Sequence, residues 1–291
     1  MTAATDDFVR HRNLLFTVAY EMLGSAVDAE DVLQEVWLRW AEVDHTEVLE
    51  PRAYLVRITT RLALNRMRTV ARRREAYVGP WLPEPLLTVP DVADDVALAD
   101  SLSTAMLLVL ETLTPTERAV FVLREVFDVG YGEIAAAVDK SPAAVRQIAH
   151  RARSHVESRR PRASVSVRER DAVLQRFVEA TATGDLQGLM DVLAPDVVLM
   201  TDGGGLKKAA LRPIVGVEKV LRFLAAVAEG VDAVADVVVV NGAPAVRLVV
   251  DGEVDTIGSL LIEDGRVTAL YLVRNPEKLA RLGTETALTR A

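Results

Sequence analysis

Apolar positions recur at helical spacing through the first half of the chain and give way to strand-like runs near its end. "FVRHRNLLFTVAYEMLG" places Phe8, Leu15, Val18, Ala19 and Met22 on one stripe, and Gly24 can stop the helix. "SAVDAEDVLQEVWLRWAEV", starting at Ser25 or Asp28, carries Val32, Leu33, Val36, Trp37 and Trp40 on one stripe. Asp28, Asp31 and Glu35 then share another face, because i, i+3 and i+7 line up on a helix. "PRAYLVRITTRLALNRMRTVARRRE" opens with Pro51 in a first-turn position. Tyr54, Leu55, Ile58, Leu62 and Met67 form its apolar side, and Arg57, Arg61, Arg68 and Arg72 lie off it.

"YVGPWLPEPL", Tyr77 to Leu86, breaks the pattern with three prolines and one glycine. Proline fixes φ and removes a donor, so a stiff, extended connector is predicted, with Trp81 exposed. An apolar tip on such a connector suits docking in a groove, because little freedom is lost on binding. Helical periodicity returns from Leu98. Thr114, Pro115 and Glu117 predict a capping box at the head of "LTPTERAVFVLREVFDV". "GYGEIAAAVDKSPAAVRQIAHRARSHVESRR" predicts a helix over Gly132–Val138, a short turn, and a second helix capped by Ser141 with Pro142 at its first position. Beyond a second linker, "RRPRASVSV", helices alternate with strands. Asn241-Gly242, Asp251-Gly252 and Asp264-Gly265 are hairpin signals between the last strands. The predicted organisation is 6–76, a linker 77–97, 98–160, a linker 161–167, 168–282 and a tail 283–291.

Composition adds limits. With 291 residues and half of them hydrophobic, two or three folded domains are expected. The chain has no cysteine, which removes disulfides and thiol chemistry and fits a reducing cytoplasm. No apolar run follows a basic start, and none approaches the ~20 residues of a membrane span. His11, His45, His150 and His155 lack ligand spacing, so neither a metal nor a cofactor is expected.

Charge changes the picture more. The net charge is −8, but it alternates along the chain. Residues 1–50 carry −8, 51–75 carry +7, 76–140 carry −8, 141–165 carry +5 and 166–291 carry −4. Two basic blocks in an acidic protein point to a grip on nucleic acid at two places. The second block lies on the second helix of a helix-turn-helix, where Arg146, Gln147, His150, Arg151 and Arg153 project and can reach base edges. The acidic face of "DAEDVLQEVWLRW" would repel phosphate and suits a basic protein partner.

These motifs, in this order, resemble the extracytoplasmic-function (group IV) sigma factors of bacterial RNA polymerase over about residues 8–157. The resemblance implies that Asp28, Asp31, Gln34 and Glu35 dock on the polymerase β′ clamp. It implies that Arg61, Asn65, Arg68 and Arg72 lie near the −10 element. Arg146, Gln147, His150, Arg151 and Arg153 would face the −35 element, with the β flap a further contact. "WLPEPL", "DGGGLKK" and "NPEKL" are similar to motifs of the subgroup with a SnoaL-like extension. By that likeness the extension packs on the linker through Trp81, Leu82, Pro83, Leu86, Asp202, Gly203, Gly204, Gly205, Asn275, Pro276 and Lys278. Leu206 stands where that pattern has lysine, so Lys207 or Lys208 is expected to replace it.

The expected fold is multidomain. Two all-α sigma domains, the second a helix-turn-helix, precede an α+β SnoaL-like domain of the cystatin/NTF2-type cone. The expected function is a sigma factor that binds core RNA polymerase and promoter DNA, regulated in cis, monomeric when free and not an enzyme. A small ligand in the cone is a further expectation. The alternative is a stand-alone helix-turn-helix regulator with a ligand domain. Asp202, Asp251 and Asp255 are the residues an enzymatic cone would offer as general base.

Overall fold

The computed structural model describes residues 3–89, 95–160 and 166–290. The chain forms two compact units. One comprises 1–75, 89–160 and 286–291, and the other 76–88 and 161–285.

The helical unit opens with α1 (Ala3–Leu23), α2 (Ala26–Ala41) and α3 (Pro51–Glu75), packed on one another. Ser25 caps α2 by accepting from the Asp28 amide at 3.3 Å. Every residue of α1 from Leu14 to Leu23 is buried. A helix apolar on all sides needs cover on all sides. Helices α2 and α3 supply part of it, and the second half of the unit supplies more. That half contains α4 (Val96–Leu102), α5 (Thr104–Glu111), α6 (Pro115–Phe121), α7 (Tyr131–Val138) and α8 (Pro142–Glu157). Helix α6 and the π-helical turn after it (Val122–Val126) pack on α1, and α3 packs on α6 and α7.

The capping box at Thr114 and Glu117 forms, as does the Ser141 cap with Pro142 behind it. Two expectations shift. Helix begins at Val96 rather than Leu98, because Asp95 caps it by accepting from the Leu98 amide. "AVFVLREVF" does not run on as one α-helix but widens into the π turn at Val122. Trp40 is buried, edge-on to His45 and tilted against Tyr54, while Trp37 is half-buried against Phe8.

In the second unit, α9 (Val167–Thr183), α10 (Leu186–Val192) and α11 (Val217–Ala228) cover one face of a six-stranded sheet. The strands are β1 (Leu193–Asp202), β2 (Ile214–Val215), β3 (Ala233–Val240), β4 (Ala243–Val250), β5 (Glu253–Glu263) and β6 (Arg266–Val273). Their order is β2-β1-β6-β5-β4-β3. Only the β1–β6 pair is parallel, so the sheet is mixed. Asn241, Asp251 and Asp264 each take positive φ before a glycine, as the hairpin signals predict. The core between helices and sheet contains Val173, Leu174, Phe177, Leu199, Val246 and Leu270. Helix α12 (Pro276–Leu279) follows β6.

Candidate functional site

The predicted linker does not stand clear as a spacer. Residues 76–88 belong to the α+β unit, and residues 90–94 of the predicted linker 77–97 lie outside the described residues. Strand alternation puts Val273, Ile257 and Ala245 on the sheet face away from the helices, and all three are buried. The linker is anchored at both ends of that diagonal.

The first anchor is Asp202, at the end of β1 and fully buried. Its Oδ1 accepts from Tyr77 Oη at 2.7 Å and from the Gly204 amide at 3.1 Å. Its Oδ2 accepts from the Leu82 amide at 2.9 Å and pairs with Lys278 Nζ at 2.7 Å. Lys278 also donates to the Leu82 carbonyl, and its ammonium lies 4.2 Å from the Trp81 ring centre. Asn275 donates from Nδ2 to Tyr77 Oη at 2.8 Å while its Oδ1 caps α12 at the Glu277 amide. Burial first, and then the neighbouring Asp202 carboxylate, push the Tyr77 hydroxyl far above its usual range. Tyr77 therefore stays a donor at any physiological pH.

The glycines beside Asp202 are needed for space. A Cβ on Gly203 would lie 2.2 Å from the Lys207 carbonyl oxygen, and one on Gly204 only 2.3 Å from Asn275 Nδ2. Gly204 also has φ +61°.

The second anchor is Asn241. Its Oδ1 accepts from the Leu86 amide, and its own amide donates to the Leu86 carbonyl, both at 2.9 Å. The Thr88 amide donates to the Val239 carbonyl, and Thr88 Oγ1 accepts from the Gly242 amide. The linker thus adds a short antiparallel rung beyond β3. Leu82 and Leu86 are buried, as are Pro83 and Glu84. Trp81 is half-buried rather than exposed.

Lys207 does not take the lysine position on the linker, and Lys208 is exposed. Lys207 pairs with Asp255 at 3.1 Å, and the Lys208 carbonyl accepts from Arg274. Burial opposes ionisation of Asp255, but hydrogen bonds from Thr256, Lys207 and Arg274 outweigh it and hold its pKa below the usual range. The linker-facing lysine is Lys278. Of the three carboxylates weighed as general bases, Asp202 serves the linker and Asp255 binds Lys207 and Arg274. Asp251 sits in an exposed hairpin turn.

In the helical unit, Gln34 and Glu35 are exposed on α2, beside Leu38. Asp28 and Asp31 both pair with Arg66 of α3, at 2.7 and 2.6 Å. Asn65 and Arg68 are joined through Asn65 Oδ1 at 3.1 Å. Arg61 Nη2 donates to the Ala136 carbonyl at 2.8 Å and Nε to that of Ala137, at the end of α7. The Arg72 side chain lies outside the described residues. On α8, Gln147, His150 and Arg151 are exposed. Arg146 lies over the Tyr131 ring, which also receives Arg124, and Arg153 pairs with Glu125 at 2.6 Å.

A helix-turn-helix with a basic second helix, an arginine-rich helix and an acidic one define a transcription-initiation protein of the sigma-70 type. The Sigma-70 region 2 family model matches residues 8–74, and the Sigma-70, region 4 model matches 103–156. The chain is 36% identical over 287 residues to the ECF RNA polymerase sigma factor SigJ of Mycobacterium tuberculosis, covering 94% of this chain and 92% of that protein. It is 32% identical to the probable ECF RNA polymerase sigma factor SigI of the same organism, covering 94% of each. The crystal structure of M. tuberculosis SigJ superposes with a TM-score of 0.76 at 34% identity, covering 96% of this chain and 99% of that one. The chain belongs to the extracytoplasmic-function sigma factors.

Proposed function

We propose that this sigma factor binds core RNA polymerase through α2 and reads promoters through α3 and α8, and that its α+β unit controls it by holding the interdomain linker. Family membership supports the first part. The second rests on Asp202, whose buried carboxylate gathers two linker donors, Tyr77 Oη and the Leu82 amide, together with Lys278. A connector that served only as a spacer would not bury Leu82 and Leu86 or give two hydrogen bonds to a buried carboxylate.

The test is promoter-specific run-off transcription with bacterial core polymerase. The full chain is compared with the double substitution Trp81→Ser, Leu82→Ser. Specific transcripts from the parent chain, with output altered at least several-fold in the variant, are the expected result. Equal output would remove the linker from regulation. Absence of any specific transcript, with tight DNA binding lacking polymerase, would favour a stand-alone regulator.

A further inference from the structure

Glu21 is an acid inside an otherwise apolar stretch of α1, and it is fully buried. Around it the two halves of the helical unit meet. Ser101 Oγ, on α4, lies 2.7 Å from Glu21 Oε1 and 2.8 Å from the Leu98 carbonyl oxygen. A hydroxyl has one proton. If Ser101 gives it to the Leu98 carbonyl, which can only accept, the bond to Glu21 needs a proton from the carboxyl. Glu21 Oε2 has no hydrogen-bond partner, a costly state for a buried carboxylate and a cheaper one for a carboxylic acid.

The Arg118 guanidinium opposes the larger upward push of burial on Glu21, and the other charged groups nearby are paired with one another. Arg118 of α6, also buried, donates from Nε to the Glu21 carbonyl at 3.0 Å and pairs through Nη1 with Glu111 of α5. Its Nη2 has no hydrogen-bond partner. Arg74 of α3 pairs with the other oxygen of Glu111 and donates to the Leu23 carbonyl. Asp100 of α4 pairs with Arg160, Arg124 of the π turn with Asp128, Glu125 with Arg153, and Asp28 of α2 with Arg66. Asp95, at the head of α4, pairs with Arg290.

We propose that this junction is a proton-coupled clasp: the two helical halves close on each other with uptake of one proton by Glu21, and loss of that proton favours their separation. The inference rests on the reading of the chain as a sigma factor, in which α3 and α8 must reach separate promoter elements. The clasp holds a residue that such separation would release, since Arg61 is bonded to the α7 carbonyls while the halves are closed. Burial raises the closed-state pKa of Glu21 to about 8. In the open state its carboxyl meets water and returns toward about 4.3. The closed state therefore holds the extra proton. Closure is fully supported below the open-state pKa. It is lost progressively as pH rises from there to about 8 and changes no further above that.

Because the chain has no cysteine, a donor–acceptor dye pair can be placed uniquely at Glu42→Cys and Lys140→Cys, both exposed positions. Energy transfer in the full chain is followed from pH 5.5 to 8.5. The open-to-closed ratio is expected to rise by up to about tenfold per pH unit across the window. Glu21→Gln, which carries the neutral form permanently, is expected to keep high transfer at every pH. Transfer that does not change with pH in the parent, or the same slope in Glu21→Gln, overturns the clasp. Should that variant fail to fold, carboxyl carbon NMR of the parent decides. A Glu resonance titrating far above the ordinary range supports the clasp, and none doing so overturns it. Run-off transcription separates the two readings. A chain that transcribes specifically without pH-dependent opening loses only the clasp, and one that opens with pH but transcribes nothing loses only the sigma assignment.

Discussion

Asp202 and Lys278 form the most enclosed ion pair of the linker site, and each depends on the other. With Asp202 fully buried and the Lys278 side chain nearly so, removing one charge leaves the other desolvated and unmatched. Breaking such a pair typically costs about 3–5 kcal/mol. Asp202→Asn is therefore predicted to destabilise the α+β unit by about that much in urea unfolding followed by tryptophan fluorescence. It should also speed proteolytic cleavage within 77–88. Gly204→Ala should act at the same place through sterics, because its Cβ would press on the Asn275 amide that holds Tyr77. A cost of about 2 kcal/mol is expected from the positive φ and the clash together. If Gly204→Ala unfolds at the parent urea concentration, the close approach to Asn275 does not hold in solution.

At the scale of elements, the proposed function divides the polar residues of α8 between two tasks. Arg153 is bound to Glu125 and braces the helix against the π-helical turn that follows α6. Gln147, His150 and Arg151 face solvent, where DNA would lie. Gln147→Ala is predicted to cost about 1–3 kcal/mol of binding to the preferred −35 sequence and to relax its preference at one base. Arg153→Ala should weaken binding evenly across sequences and lower thermal stability. Competition binding of polymerase holoenzyme to a −35 library distinguishes the two patterns, and a base-specific loss from Arg153→Ala would refute the division. What the sequence made legible is local. Caps at Ser25, Thr114 and Ser141, the Asn-Gly and Asp-Gly turns and the helix-turn-helix are written within a few residues, and all of them form. The linker motif pointed to its partners Asp202 and Asn275, but not to Asn241, which reads simply as a turn residue. Lys278 was among the residues the family likeness named, but local spelling could not say that it would pair with Asp202, since 76 residues separate the two. Glu21 was missed for the same reason. Its burial comes from α4 and α6, far along the chain, although a helix apolar on every side from Leu14 onward was a sign that something beyond α2 and α3 must cover it.

For the whole molecule, the alternating charge blocks acquire a meaning that net charge hides. Three arginines of the basic block on α3 are occupied internally: Arg61 by backbone carbonyls, Arg66 by Asp28 and Asp31, Arg74 by Glu111. A closed chain therefore offers DNA fewer cations than its sequence suggests, in a protein of net charge −8. Opening the clasp frees Arg61 and separates the two DNA-reading helices. The free chain is thus predicted to bind promoter DNA more tightly at pH 8 than at pH 6. Ordinary electrostatics predicts the reverse, because a protein losing protons becomes more negative and is repelled more by phosphate. The opposite sign makes the effect diagnostic. Measured on a His150→Gln background, so that the exposed imidazole of α8 does not enter, the affinity should rise several-fold over those two pH units. In Glu21→Gln the rise should vanish and leave only the conventional fall. A parent chain that binds more weakly at pH 8 would mean that proton release from Glu21 does not open the DNA-reading surfaces.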